Sequence, residues 1–196
     1  MRYHVTRTSP NPYLLISSSQ TKHLVFPNFN IISIPSGKVQ NVRQFLPELN
    51  QFDIIVLLIG GNDLFTRDGL PLTAPEQVAE ELISVADELS LLAKQVFIIG
   101  IPPRFKQPDT TITVNNILEK ENSSKKWKFR GVSKYWYSEI CTKTDEVHLT
   151  PKSLGQLCTT LKTKILYGKY SSTIDAKGHT NTFYCQAHCK CGFWKA

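Results

Sequence analysis

The chain has 196 residues, of which 41% are apolar and 20% are charged, and its net charge is +7. This length favours one domain with a core of its own, and the composition argues against wholesale disorder, a collagen or a coiled-coil fibre. The longest apolar run, 54–59, is far shorter than the about 20 residues that a membrane-spanning helix needs. No apolar segment follows residues 1–4, so no secretory signal is expected.

Short apolar runs alternate with segments of helical periodicity. The runs 13–16, 30–34, 53–59 and 95–101 predict buried strands, and the segments 39–49, 73–93, 110–121 and 150–166 predict helices. This alternation predicts an α/β fold, a three-layer α/β/α sandwich with a mostly parallel, flavodoxin-like sheet. The expected organisation is an extended lead-in (1–12), one domain (13–167) and a basic tail with cysteine and histidine (168–196).

Two of the predicted helices have capping signals at their first residues. Thr73 is expected to cap the second helix, with a proline early in its first turn, and Thr150 is expected to cap the last helix ahead of Pro151. Pro47 disagrees with the helix at 39–49, because proline removes a backbone donor inside a helix.

Polar residues follow three of the predicted strands and precede the last helix. They are the three serines 17–19, the pair Ser36-Gly37, the Gly-Gly-Asn-Asp segment 60–63 and the Asp-Glu-Val-His segment 145–148. Ligands of parallel α/β sheets bind beyond the carboxyl ends of the strands, so these four segments are expected to meet there. Together they supply a nucleophile, a base with its orienting acid, and oxyanion donors, which is the chemistry of acyl transfer.

These segments resemble the sequence blocks of the SGNH (GDSL-type) hydrolase and esterase family. Residues 59–63 match the third block, and residues 145–151 match the fifth block, Asp-x-x-His-Leu-Thr-Pro. The first block departs from the family's Gly-Asp-Ser, because Ser17 and Ser18 stand where the glycine and the aspartate would be. Gly37 aligns with the glycine of the second block, although counting back from the next helix aligns Ser36 instead.

The resemblance implies a serine esterase that acts on small acyl esters, acetyl esters foremost, and that needs no cofactor. Ser19 would be the nucleophile, His148 the general base and Asp145 the residue that orients it. The backbone N–H groups of Ser19 and Gly37 and the side-chain amide of Asn62 would form the oxyanion hole. If Ser19 is not the nucleophile, Ser18 and Ser17 are the next candidates. A catalytically degenerate SGNH fold that binds nucleic acid or another polyanion is the alternative.

A basic segment with interleaved aromatic residues lies between Lys120 and Lys134. It is either a nucleic-acid surface, with phosphate contacts and base stacking, or a solvated loop whose aromatic residues face the core. The basic residues that would contact nucleic acid are Lys125, Lys126, Lys128 and Arg130. A basic segment and a Cys/His tail resemble the setting of SGNH domains in LINE-type retrotransposon proteins.

The five cysteines favour reduced thiols in a cytoplasmic or nuclear protein, because their number is odd and no export signal is visible. Four soft ligands crowd the tail: Cys185, His188, Cys189 and Cys191. Structural zinc sites usually combine two spaced pairs of ligands, so a disordered, reduced tail is expected here and a zinc site is the alternative.

Overall fold

A computed structural model describes residues 4–6, 12–21, 29–66, 68–103, 108–131, 150–161 and 165. Within them, six strands form one sheet in the spatial order β1-β3-β2-β4-β5-β6. Five of the strands run parallel, and β1 lies antiparallel to β3 at one edge. The strands are β1 (His4–Thr6), β2 (Tyr13–Ser17), β3 (Asn30–Ser33), β4 (Ile54–Leu58), β5 (Gln95–Ile99) and β6 (Lys128–Arg130).

Helices cover both faces of this sheet, and the fold is the predicted three-layer α/β/α sandwich. One face packs against a long 3-10 helix and against α2 and α3, whereas the other packs against α4. The α-helices are α1 (Gly61–Leu64), α2 (Pro75–Leu89), α3 (Pro108–Glu121) and α4 (Pro151–Thr160). The 3-10 helices are Ser19–Thr21, Val39–Gln51 and Asn122–Ser124.

The central position of β4 follows from its sequence, which is apolar at every residue. Successive side chains of a strand point to opposite faces, so Leu57 packs into the core under α2 while Leu58 packs into the core under α4. A strand that is apolar on both faces is stable only when both faces are covered. The prediction of a buried central strand at 53–59 is therefore confirmed, with pairing at Ile54–Leu58.

The register of the sheet aligns the carboxyl ends of three neighbouring strands. Ser17, the last residue of β2, pairs with Ser33 of β3 on one side and with Leu58 of β4 on the other. The loops that leave these three strands therefore start side by side at one edge of the sheet. This edge carries the serine triplet, Gly37 and Asn62.

Three local expectations were wrong or incomplete. The helix predicted at 39–49 forms a 3-10 helix that runs to Gln51 with Pro47 inside it. Thr73 does not cap α2; Ala74 is the capping residue, because Pro75 occupies the first helical position. The strand β6 was not predicted. By contrast, the cap of α4 is confirmed, since the Thr150 side chain accepts a hydrogen bond from the Ser153 N–H at 3.2 Å.

Within the described ranges, no helix is both long and apolar enough to cross a membrane. The tail 168–196, with its four candidate zinc ligands Cys185, His188, Cys189 and Cys191, lies outside the described residues. The boundaries proposed for the lead-in, domain and tail stay predictions.

Candidate active site

The serine triplet spans the exit from β2, and its three members differ in solvent access. Ser17 is the last residue of the strand and is fully buried, and Ser18 is 7% exposed. Ser19 begins the 3-10 helix Ser19–Thr21 and is half-buried. Of the three hydroxyl-bearing residues, Ser19 is therefore the one that a substrate can reach most easily.

Buried hydroxyl groups surround the peptide between Ser18 and Ser19. The Ser17 hydroxyl donates to the Ser18 carbonyl oxygen at 3.1 Å, and the Ser33 hydroxyl donates to the same oxygen at 2.9 Å. Thr21 forms a side-chain hydrogen bond with Ser17. Ser17 is thus engaged in the structure on both sides, which makes it a poor candidate for the nucleophile.

The loop after β3 contains a tight turn that only glycine fits at position 37. The Gly37 N–H donates to the Ile34 carbonyl oxygen at 2.8 Å, and Ser36 has a left-handed φ of +54°. A Cβ atom on residue 37 would lie 2.6 Å from the Ile34 Cβ and 2.8 Å from the Ile34 carbonyl oxygen. The N–H that was predicted to face an oxyanion is therefore engaged within this turn.

The loop after β4 brings Asn62 against this turn. Gly60 has a φ of +117°, which favours glycine, and it caps the short helix α1. The Asn62 side-chain amide nitrogen then donates to the Gly37 carbonyl oxygen at 3.1 Å. An amide nitrogen carries two hydrogens, so this bond positions the group and leaves a second donor. Gly37 and Asn62, predicted from separate sequence blocks, are in direct contact.

Asp63 forms a second connection between the same two loops. Both of its carboxylate oxygens accept from the Val39 N–H, at 3.1 and 3.2 Å, at the start of the long 3-10 helix. Burial raises the pKa of Asp63 to about 6, although the Val39 N–H and the charge of Lys38 act in the opposite direction. Asp63 was not among the site residues predicted from the sequence. No local pattern pointed to this contact, because its two residues are 24 positions apart in the sequence.

Comparisons with known proteins bear on the fold. No protein-family model and no curated protein sequence matches this chain. Among solved structures it is similar to a GDSL-like lipase from Bacteroides thetaiotaomicron, with 13% identity, a TM-score of 0.61 and coverage of 80% of this chain and 88% of that one.

Two acetyl esterases are also similar. An acetylxylan esterase from Geobacillus stearothermophilus has 13% identity, a TM-score of 0.60 and coverage of 76% and 92% of the two chains. A carbohydrate acetylesterase from Sinorhizobium meliloti has 12% identity, a TM-score of 0.56 and coverage of 80% and 100%. The chain has the SGNH (GDSL-type) hydrolase fold. The family resemblance seen in the sequence is thus confirmed at the level of the fold.

Within this SGNH fold, the described residues contain part of the predicted site. Ser19, Gly37 and Asn62 all lie on loops at the carboxyl edge of the sheet. Asp145 and His148, the predicted acid and base of the triad, lie outside the described residues. The helix that follows them is described from its cap, Thr150.

The basic segment of this SGNH fold buries the aromatic residues that the structure describes. Trp127 is fully buried, and its indole N–H donates to an Asp87 carboxylate oxygen at 3.0 Å. Phe129 is also buried. The Lys125 ammonium donates to the other Asp87 oxygen at 2.8 Å. For Trp127 and Phe129, the expectation of aromatic residues facing the core is confirmed.

Of the four basic residues predicted to contact nucleic acid, three lie outside the ion pair between Lys125 and Asp87. Lys126 and Lys128 are exposed, whereas the Arg130 guanidinium lies 5.5 Å from the centre of the Phe97 ring. This arrangement offers phosphate contacts but no stacking platform at Trp127. Nucleic-acid binding stays a prediction.

Proposed function

We propose that the protein is a serine esterase that hydrolyses small acyl esters, acetyl esters foremost, through an acyl-Ser19 intermediate. The observation that supports this most is the contact between Asn62 and Gly37 beside the exit from β2, where Ser19 is the accessible serine of its triplet. A nucleophile and a preorganised amide at one sheet edge are what acyl transfer requires. The acetyl preference rests on two neighbours of this fold, an acetylxylan esterase and a carbohydrate acetylesterase.

The proposed mechanism has two half-reactions. His148, oriented by Asp145, takes the proton of the Ser19 hydroxyl as its oxygen attacks the ester carbonyl, and then returns that proton to the leaving alcohol. In the second half-reaction His148 takes a proton from water, which attacks the acyl-Ser19 ester. The tetrahedral adduct then collapses, His148 returns the proton to the Ser19 oxygen, and the carboxylic acid is released with the Ser19 hydroxyl restored.

The proposed oxyanion hole consists of the Ser19 N–H, the Asn62 amide and the Gly37 N–H. The Gly37 carbonyl takes only one of the two hydrogens on the Asn62 amide nitrogen, so the second hydrogen can be donated to an oxyanion. The Gly37 N–H, which donates to Ile34, would contribute as a donor shared between two acceptors. Asn62 is therefore expected to make the larger contribution of the two.

A serine-reactive fluorophosphonate probe tests the proposal together with the hydrolysis of p-nitrophenyl acetate. The probe is expected to label the wild-type chain, and Ser19→Ala is expected to abolish both labelling and turnover. Ser123→Ala is the matched control, because Ser123 is exposed in the 3-10 helix Asn122–Ser124, away from the carboxyl edge. Unchanged turnover in Ser19→Ala would move the nucleophile to Ser18 or Ser17, and an unlabelled, inactive wild type would overturn the esterase proposal.

A further inference from the structure

The carbonyl group of Ser18 is held by two buried hydroxyl groups from different strands. Ser17 supplies one of them from the end of β2, and Ser33 supplies the other from the end of β3. We infer that these hydroxyls form a clamp, here defined as Ser17, Thr21 and Ser33, that fixes the orientation of the Ser19 N–H. The inference rests on the proposed function, because the Ser19 N–H is one of the proposed oxyanion donors.

The protons of the clamp can be assigned by counting donors. Ser17 has one hydroxyl proton, and it is donated to the Ser18 carbonyl oxygen. In its contact with Thr21, Ser17 must therefore be the acceptor, so the Thr21 hydroxyl donates. The result is a chain from Thr21 through Ser17 to the carbonyl, in which each bond polarises the next. Ser33 donates to the same oxygen, so this carbonyl accepts a hydrogen bond from each of two buried hydroxyl groups.

The clamp acts on Ser19 through the planarity of the peptide bond. The described residues contain no cis peptide, so the Ser18 carbonyl and the Ser19 N–H point in opposite directions. Because the carbonyl oxygen is directed at the buried hydroxyls, the N–H is directed away from them. Rotating this peptide would break two hydrogen bonds at once and leave buried polar groups without partners, which is costly.

Burial makes this clamp stronger than an exposed hydroxyl pair would be. Ser17 is 0% exposed, Thr21 1% and Ser33 2%, so water cannot replace a lost partner easily. The neighbouring backbone is held as well, since the Ile34 N–H donates to the Ser17 carbonyl oxygen at 2.8 Å. In the first block, where the family resemblance leads one to expect glycine and aspartate, Ser17 thus supplies a bond that a glycine could not.

If the clamp positions the Ser19 N–H, removing one of its hydroxyl groups should impair catalysis even in molecules that stay folded. Ser33→Ala is expected to lower kcat for p-nitrophenyl acetate by about 10- to 100-fold with little change in KM, because a misdirected donor affects mainly the transition state. The inhibition constant of a trifluoromethyl ketone, whose Ser19 adduct carries an oxyanion, is expected to rise in parallel. Ser33→Thr keeps the hydroxyl and is expected to restore both values.

A matched variant separates positioning from folding. Ser90→Ala removes a similar hydroxyl-to-carbonyl bond, from Ser90 to Ala86 at 2.7 Å, at the end of α2. It is expected to lower the melting temperature without changing kcat per folded molecule. If Ser33→Ala leaves kcat and the inhibition constant as unchanged as Ser90→Ala does, the clamp has no positioning role.

A second clamp variant guards against a failure of Ser33→Ala to fold. Ser17→Ala removes the other donor and is expected to give the same pattern of lowered kcat and weakened inhibitor binding. A folded Ser17→Ala protein with wild-type kcat would overturn the inference. Failure of the esterase proposal looks different, because then the wild type itself is inactive or Ser19→Ala keeps its activity.

Discussion

The Asn62 amide donates to the Gly37 carbonyl oxygen across 3.1 Å, and this bond joins the loops that leave β3 and β4. The bond fixes the plane of the amide before any substrate arrives. A donor held in this way needs no reorganisation when negative charge develops, which is the basis of electrostatic catalysis. The contact also makes the two loops depend on each other, so a change at either residue is expected to affect both.

Replacing Asn62 tests the amide as an oxyanion donor. Asn62→Ala is expected to lower kcat by about 100- to 1,000-fold, the usual effect of losing one such donor, with a much smaller change in KM. Steady-state kinetics with p-nitrophenyl acetate give both values. Asn116→Ala is the control, because Asn116 is an exposed asparagine of α3, and its kinetics should match the wild type. A kcat for Asn62→Ala within about threefold of the wild type would remove Asn62 from the proposed hole.

Replacing Gly37 tests the tight turn. The new methyl group of Gly37→Ala would lie 2.6 Å from the Ile34 Cβ and 2.8 Å from the Ile34 carbonyl oxygen, so the backbone must move. We expect the free energy of unfolding to fall by about 1–3 kcal/mol, as for other overpacked sites. Turnover should fall as well, because the Gly37 carbonyl holds Asn62. Urea denaturation and kinetics measure the two effects.

Gly155→Ala is the matched control for Gly37→Ala. Gly155 lies inside α4, and among the described residues outside its own helix turn no atom would lie within 4 Å of a Cβ atom there. Alanine is favoured over glycine in a helix, so this variant is expected to gain roughly 0.5–1 kcal/mol of stability and to keep its activity. If Gly37→Ala proves as stable as Gly155→Ala, the described geometry of the turn is wrong.

The pKa of Asp63 predicts a specific dependence of stability on pH. Burial raises the pKa of this carboxyl from 3.8 to about 6, so the folded protein takes up the proton at a higher pH than the unfolded chain does. Stability from this group is therefore fully present below about pH 4 and is lost as the pH rises through 6. Asp63→Asn does not titrate, and its stability relative to the wild type should increase between pH 4 and pH 7.5.

Between pH 4 and pH 7.5, the free energy of unfolding of Asp63→Asn relative to the wild type is expected to rise by about 1 kcal/mol. This is less than the pKa change alone would give, because the carboxyl is partly exposed to solvent. Denaturant titrations of both proteins at pH 4, 5.5 and 7.5 measure it, and the contributions of all other groups cancel in the comparison. Parallel curves for the two proteins across this range would show that the carboxylate carries no burial penalty.

A Trp127 variant tests whether the aromatic residues of the basic segment stabilise the core or bind nucleic acid. Trp127→Phe removes the indole N–H that donates to Asp87 and leaves a smaller ring in a fully buried site. We expect the free energy of unfolding to fall by about 1–3 kcal/mol, which thermal or denaturant unfolding measures. Any affinity for a short RNA should be unchanged, because a fully buried ring cannot stack on a base.

Replacing the exposed lysines of the basic segment tests directly whether this surface binds RNA. If RNA binds this surface, neutralising the exposed Lys126 and Lys128 with glutamine should weaken binding and reduce its salt dependence, as measured by fluorescence anisotropy. An RNA affinity that falls in Trp127→Phe but not in the lysine variant would contradict the assignment of Trp127 to the core.

Much of this fold could be predicted because buried strands and helix starts require particular residue types at neighbouring positions. The run 53–59 is apolar on both faces, and such a run is stable only as a covered central strand, which β4 is. The cap of α4 was predictable because Thr150 and Pro151 each satisfy a local requirement of a helix start. These features depend on neighbouring residues, and the sequence displays them directly.

Features that depend on distant contacts could not be predicted. The strand β6 has only three residues, and what defines it is its parallel pairing with β5. The buried hydroxyls of Ser17 and Ser33 come together only when β2 and β3 pair, so three serines in sequence could be read only as a turn with a nucleophile. Likewise, the contact of Asp63 with Val39 joins residues that are 24 positions apart.

The two outermost of the described strands, β1 and β6, are each only three residues long. Lys128, at the start of β6, is exposed and carries a charge. Among the described strands, these short edges offer few unpaired amides to which another polypeptide could add, and the charge of Lys128 disfavours such pairing at one edge. Concentrated solutions of the protein are therefore expected to resist growth of intermolecular β-structure for as long as the fold stays intact.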